Sequence, residues 1–175
     1  MRQLVDKARL EKFLEAFGNA LGKGGKIYLT GGGSAVLHEW RESTIDIDIK
    51  AMPEPSHFFE SIAKLKDALD INIEIASPDL FIPELPGWES RSLFIARYGD
   101  TDFYHYDFYS QALAKLERNH IRDIADVECM YRSGLIKSER LLELFIQIES
   151  NLIRFPAIEI ETLKDIINTW CDIHS

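Results

Sequence analysis

Hydrophobic and polar positions change their period several times along the chain, and each change predicts an element. Leu4, Val5, Ala8, Phe13, Leu14, Phe17 and Leu21 recur at helical spacing, which predicts a helix over residues 4–21 ended by Gly22, Gly24 and Gly25. Lys26–Thr30 (KIYLT) reads as a short buried strand that runs into a Gly31-Gly32-Gly33-Ser34 turn and a short helix, AVLHEW. Ile45–Lys50 (IDIDIK) alternates strictly, with Ile45, Ile47 and Ile49 on one face and Asp46 and Asp48 on the other. Ser56 stands where it can cap a helix reaching Leu69, with Phe58, Phe59, Ile62, Leu65 and Leu69 inward. Ile71–Ala76 (INIEIA) alternates again and carries Asn72 and Glu74 on its polar face.

Residues 77–91 contain three prolines and a Pro-Gly pair, which predicts an ordered loop crossing the sheet, anchored by Trp88. Strands near 92–97 and 102–108 follow, the second ending in the aromatic stretch FYHYDFY. From Tyr109 onward the pattern is helical throughout, with Gly134 and Pro156 as punctuation. These elements predict an α+β fold: a core with a small mixed sheet flanked by helices over residues 1–108, and a C-terminal helical bundle over 109–175. Nothing resembling a linker separates the two, so they are expected to pack together.

Composition narrows the classes. With 175 residues, 46% of them hydrophobic and 28% charged, the chain suits one globular domain with a helical appendage and excludes a disordered or fibrous protein. No apolar run approaches the ~18 residues of a membrane span, and the N-terminus alternates charged with apolar residues, unlike a leader. Cys129 and Cys171 have neither metal-site nor disulfide-framework spacing, so a reducing cytoplasm is expected. The net charge of −9 is uneven: residues 31–110 hold six basic and fifteen acidic side chains, whereas 1–30 and 111–140 are slightly basic. An acidic middle repels a nucleic-acid backbone unless a cation intervenes. It is either a solvated face or, in part, a holder of divalent metal.

Position suggests which residues carry chemistry. The glycine turn is no phosphate loop of the GxxxxGK[ST] kind and lacks GxGxxG; it is a tight turn or a place where backbone approaches a ligand closely. The next helix would then offer its N–H groups to phosphate oxygens. Asp46 and Asp48 point the same way with Cα atoms roughly 6.5–7 Å apart, so both can reach shared divalent ions. Without a cation, two adjacent carboxylates repel each other. Glu74 has the same phase on another strand and supplies a third oxygen ligand if that strand is adjacent. Such hard oxygen donors suit magnesium bound jointly with phosphates.

Gly33-Ser34, then eleven residues, then Asp46-Ile47-Asp48 resembles the pattern of the nucleotidyltransferase superfamily that includes DNA polymerase beta. Arg41-Glu42-Ser43-Thr44 before the acid pair looks like the run found in bacterial minimal nucleotidyltransferases and related toxin–antitoxin enzymes. Ala114–Arg118 and Arg122–Val127 are similar to that branch's later helical motif, so the resemblance spans about Ile27 to Val127. It implies a nucleotidyltransferase-type mixed sheet, with Gly32, Gly33, Ser34, Arg41 and Thr44 at the NTP. Asp46, Asp48 and Glu74 would be the catalytic carboxylates holding two magnesium ions, with Asp107 a rival for the third place; at a strand end before a helix, Asp107 also reads as a helix cap. Lys115 would reach the triphosphate and the arginines Arg118 and Arg122 orient it or the acceptor, with Asp123 and Asp126 fixing these basic side chains at the nucleotide; salt bridges between neighbouring helices explain the same residues. The implied reaction moves a nucleoside monophosphate from an NTP to an acceptor hydroxyl and releases pyrophosphate. The acceptor (tRNA, protein or small molecule) stays open. A silent nucleotide-binding or regulatory module, such as a partner in a toxin–antitoxin pair, and a structural protein with a decorative acid pair are the alternatives. The histidines show no ligand spacing.

Overall fold

Ile47 and Ile49 are fully buried, whereas Asp46 and Asp48 alternate with them on the opposite side of their strand. That alternation orients the sheet around which the N-terminal part folds. The computed structural model describes residues 1–175 and divides into two units, Met1–Ser77 with Ser92–Tyr106, and Pro78–Arg91 with Asp107–Ser175.

The first unit contains β1 (Val5–Asp6), α1 (Lys7–Ala20), β2 (Lys26–Thr30), α2 (Gly31–Leu37), β3 (Ser43–Thr44), β4 (Asp46–Ala51), α3 (Phe58–Ala68), β5 (Asn72–Ile75), β6 (Leu93–Tyr98) and β7 (Thr101–His105). Five strands form a mixed sheet in the order β5-β4-β2-β7-β6; β2 runs antiparallel to β4 and parallel to β7, and β4 runs parallel to β5. Leu10, Phe13, Leu14 and Phe17 of α1 and Phe58 and Ile62 of α3 bury one face of the sheet with Ile27, Leu29, Ile47, Ile49, Ile73 and Phe103. Each large side chain removed from water here contributes about 1.5–3 kcal/mol.

Several boundaries differ from the periodicity. Val5 and Asp6 pair with Thr44 and Ser43 instead of joining the helix, and Asp6 caps α1 by accepting a bond from the Arg9 N–H at 2.9 Å. The three glycines are not a turn ahead of a helix but its first residues. Ser56 does not cap α3; the helix follows His57, whose φ of 62° sets the chain direction. Ile45 and Phe59, expected inward, are 62% and 60% exposed. Ile45 falls between β3 and β4, outside the five-stranded ladder, and Phe58 takes the inward seat beside Phe59 on the helix.

The second unit holds a 3₁₀ turn at Pro78–Leu80, α4 (Trp88–Arg91), α5 (Phe108–Arg118), α6 (Ile121–Arg132), α7 (Ser138–Ile148), a 3₁₀ stretch at Glu149–Arg154 and α8 (Ile160–Ile173). Trp88 is buried, and Arg91 grips Asp107 through two bonds of 3.1 and 2.8 Å. Asp107 also caps α5, accepting from the Tyr109 N–H and the Ser110 hydroxyl. The proline-rich segment is therefore short helical turns within this unit, tied to the start of α5. No helix is long and apolar enough to cross a membrane.

Candidate functional site

Strand β4 lies between β2 and β5, with Thr30 opposite Asp48 on one side, and Asn72 opposite Asp46 and Glu74 opposite Asp48 on the other. The strand carrying Glu74 is thus the direct neighbour of the strand carrying both aspartates. Asp46 and Asp48 are half-buried and Glu74 is exposed. Asn72, whose residue type alone does not mark it for a role, links Asp46 and Glu74: its side-chain amide donates to Asp46 Oδ1 and, at 3.2 Å, to Glu74 Oε1.

The glycines that open α2 close the other side of the site. Gly31 has φ +61°, and a side chain there would begin 2.7 Å from Asp48 Oδ2, so this carboxylate lies against bare backbone. A side chain at Gly32 would strike the Thr44 hydroxyl, and one at Gly33 would start 2.9 Å from Leu29 Cδ1. The Thr44 hydroxyl donates to the Asp46 carbonyl at 3.0 Å, tying the β3–β4 junction to the start of β4. Arg41 Nη1 lies near Gly32, 3.5 Å from where its Cβ would be. Ser34 is fully buried; its hydroxyl donates to the Leu29 carbonyl at 3.2 Å and stands 3.0 Å from His105 Nδ1. The glycine run therefore fits its helix closely against β2 and β4 and brings Asp48 to the helix start.

One comparison with known proteins matches nearly the whole chain: the family model described as "Nucleotidyltransferase of unknown function (DUF6036)" covers residues 10–174. The chain belongs to this nucleotidyltransferase family. No curated protein and no solved structure matches it significantly.

The site residues expected of a nucleotidyltransferase fall into two groups. Asp46, Asp48, Glu74, Gly32, Gly33, Ser34, Arg41 and Thr44 all belong to the first unit, around the same end of the sheet. Lys115 and Arg118 belong to the helical unit, on α5. The Lys115 ammonium is buried, 2.7 Å from Asp126 and 3.4 Å from Asp123 of α6, and Arg118 Nη2 is 2.6 Å from Asp123. Burial alone would raise the Asp123 carboxyl, but Arg118 and Lys115 outweigh it and hold its pKa below the ordinary value.

Behind the glycine helix, sequence spacing gave no hint of a second cluster. His38 stacks on Trp40 with ring centroids 5.0 Å apart, and 4.6 Å from His105. Burial and the neighbouring His38 push the His105 pKa down to about 3, and burial lowers that of His38, so neither ring is charged at neutral pH. Only folding brings positions 38 and 105 together.

Proposed function

We propose that this protein transfers a nucleoside monophosphate from an NTP to an acceptor hydroxyl, with release of pyrophosphate. The observation that carries the reading is the pairing of Asp46 and Asp48 on one side of β4 with the Asp48 carboxylate against Gly31, within a chain of the nucleotidyltransferase family. No group of three or more His, Cys, Asp or Glu side chains forms an all-protein metal cage. Two carboxylates without a cage fit magnesium, which keeps waters and takes phosphate oxygens to complete its shell. Asp46 and Asp48 would hold two such ions together with the NTP. Bound magnesium supplies charge neutralisation on the phosphates and alignment for in-line displacement.

The chain's own residues do the rest. Gly31 keeps the helix start free of a side chain beside Asp48, while Gly32 and Gly33 let the helix close on Thr44 and Leu29. Ser34, fully buried with its hydroxyl engaged with Leu29 and His105, secures the helix from inside. Arg41, half-buried next to Gly32, brings positive charge to the same place. One of the two aspartates accepts the proton of the attacking hydroxyl.

The net charge of −9 disfavours a large nucleic-acid acceptor without a cation between. The test is incubation with each labelled NTP, magnesium, total RNA and cell extract, scored by labelled product and pyrophosphate. Transfer lost in Asp46→Asn supports the reading. Magnesium-dependent NTP binding without pyrophosphate release would make the protein a silent binding module, and absence of both would make the acid pair structural.

A further inference from the structure

We propose that Asn72 is a positioning residue for Asp46, and that Glu74 acts through Asn72 instead of binding the ions itself; this rests on the reading above. Carboxylates accept hydrogen bonds and do not donate them when ionised, so the amide nitrogen, not its oxygen, faces both acids. The two N–H donors are then spent, one on Asp46 Oδ1 and one on Glu74 Oε1. The strand register places the three together: Asn72 is the direct cross-strand partner of Asp46, and Glu74 follows two residues on, on the same side of β5.

An ion shared by Asp46 Oδ1 and Glu74 Oε1 would need the space that the amide nitrogen occupies. A cation and two N–H donors repel each other, so an ion shared by these two oxygens requires Asn72 to leave. With Asn72 in place, the neutral amide lowers the repulsion among three neighbouring acids without consuming the charge that attracts magnesium. It also fixes the rotamer of Asp46, in the way that groups hydrogen-bonded to metal ligands orient them. Glu74 holds the other end of the amide and so keeps it pointed at Asp46.

The experiment measures Mn²⁺ affinity by electron paramagnetic resonance, using the full chain with α,β-methylene analogues of the four NTPs. Asn72→Ala should weaken Mn²⁺ binding about 10-fold with little loss of thermal stability. Asn72→Val removes the same donors from a residue type that suits a strand, and gives the same reading if the alanine variant fails to fold. Glu74→Gln keeps an oxygen for the amide, so it should cost about threefold or less. Asp46→Asn should cost more than either. Wild-type affinity in the Asn72 variants overturns the proposal, as does a loss in Glu74→Gln equal to that in Asp46→Asn. If the wild type itself takes up no Mn²⁺ with any analogue, the proposed function falls and this role falls with it. Wild-type binding unchanged by Asn72→Ala sinks the positioning role alone.

Discussion

The two units each hold a cluster of charged side chains, and the two clusters are built differently. In the helical unit, Asp123 and Asp126 are buried against Lys115 and Arg118, so opposite charges meet at 2.6–3.4 Å. In the sheet unit, Asp46 is met by the neutral amide of Asn72, and Asp48 lies against the backbone of Gly31. A cluster closed by its own cations holds helices together. In the sheet unit an amide steadies one carboxylate of the acid pair, and the other packs against backbone. Both clusters contain an acid pair, so residue type alone does not tell them apart.

Breaking the first cluster should have the largest effect. Lys115→Ala takes a cation away from two buried carboxylates, and removing one partner of a buried pair costs about 3–5 kcal/mol. Denaturant unfolding should register that loss; a change under about 1 kcal/mol would mean that the pair is no better than an exposed one. Breaking the second cluster should do the reverse. Asp46→Asn with Asp48→Asn should leave folding intact and weaken magnesium-dependent NTP binding by about 100-fold or more, since each charged contact is worth roughly 1.5–3 kcal/mol. Calorimetric titration with and without magnesium decides this, and equal binding by both proteins would remove the metal from the site.

Smaller effects sharpen the contrast. Gly31→Ala forces a side chain into the left-handed region and toward Asp48 Oδ2, at a cost of about 1–3 kcal/mol measured by thermal melting. An unchanged melt would show that Asp48 can retreat from the helix start. The His38–His105 pair predicts a pH dependence. The folded protein keeps His105 neutral down to about pH 3, whereas the unfolded chain takes up a proton near 6.5. Protons bind the unfolded state preferentially in that window, so stability falls as pH drops below 6.5, by about 1.4 kcal/mol per pH unit for this group. His105→Gln should flatten the slope between pH 6.5 and 5, above the range where carboxylates contribute; an unaltered slope would assign it to other groups.

Much of the candidate site was legible because strand periodicity is a local property. IDIDIK and INIEIA each declare which residues share a face, and β4 and β5 carry those faces as neighbours in register. The Asp107 cap was equally legible, as a carboxylate at a strand end before a helix. Ile45 and Phe59 depart from the pattern because periodicity says which way a side chain points and not where the ladder or the helix's buried stripe stops.

By itself the sequence determined the α+β class, the acid pair on one strand face, the glycine run after β2 and the family to which the chain belongs. Each depends on residues close together along the chain or on a pattern of residue types. Tertiary structure alone decided that Asn72 bridges Asp46 and Glu74, that Gly31 makes room for Asp48, that Ser34 is engaged with His105, and that Lys115 is enclosed by α6. These depend on strand order, register and helix docking, which bring distant residues within a few ångströms. Hydrogen bonds and ion pairs act over that distance, and no local pattern of residues records it.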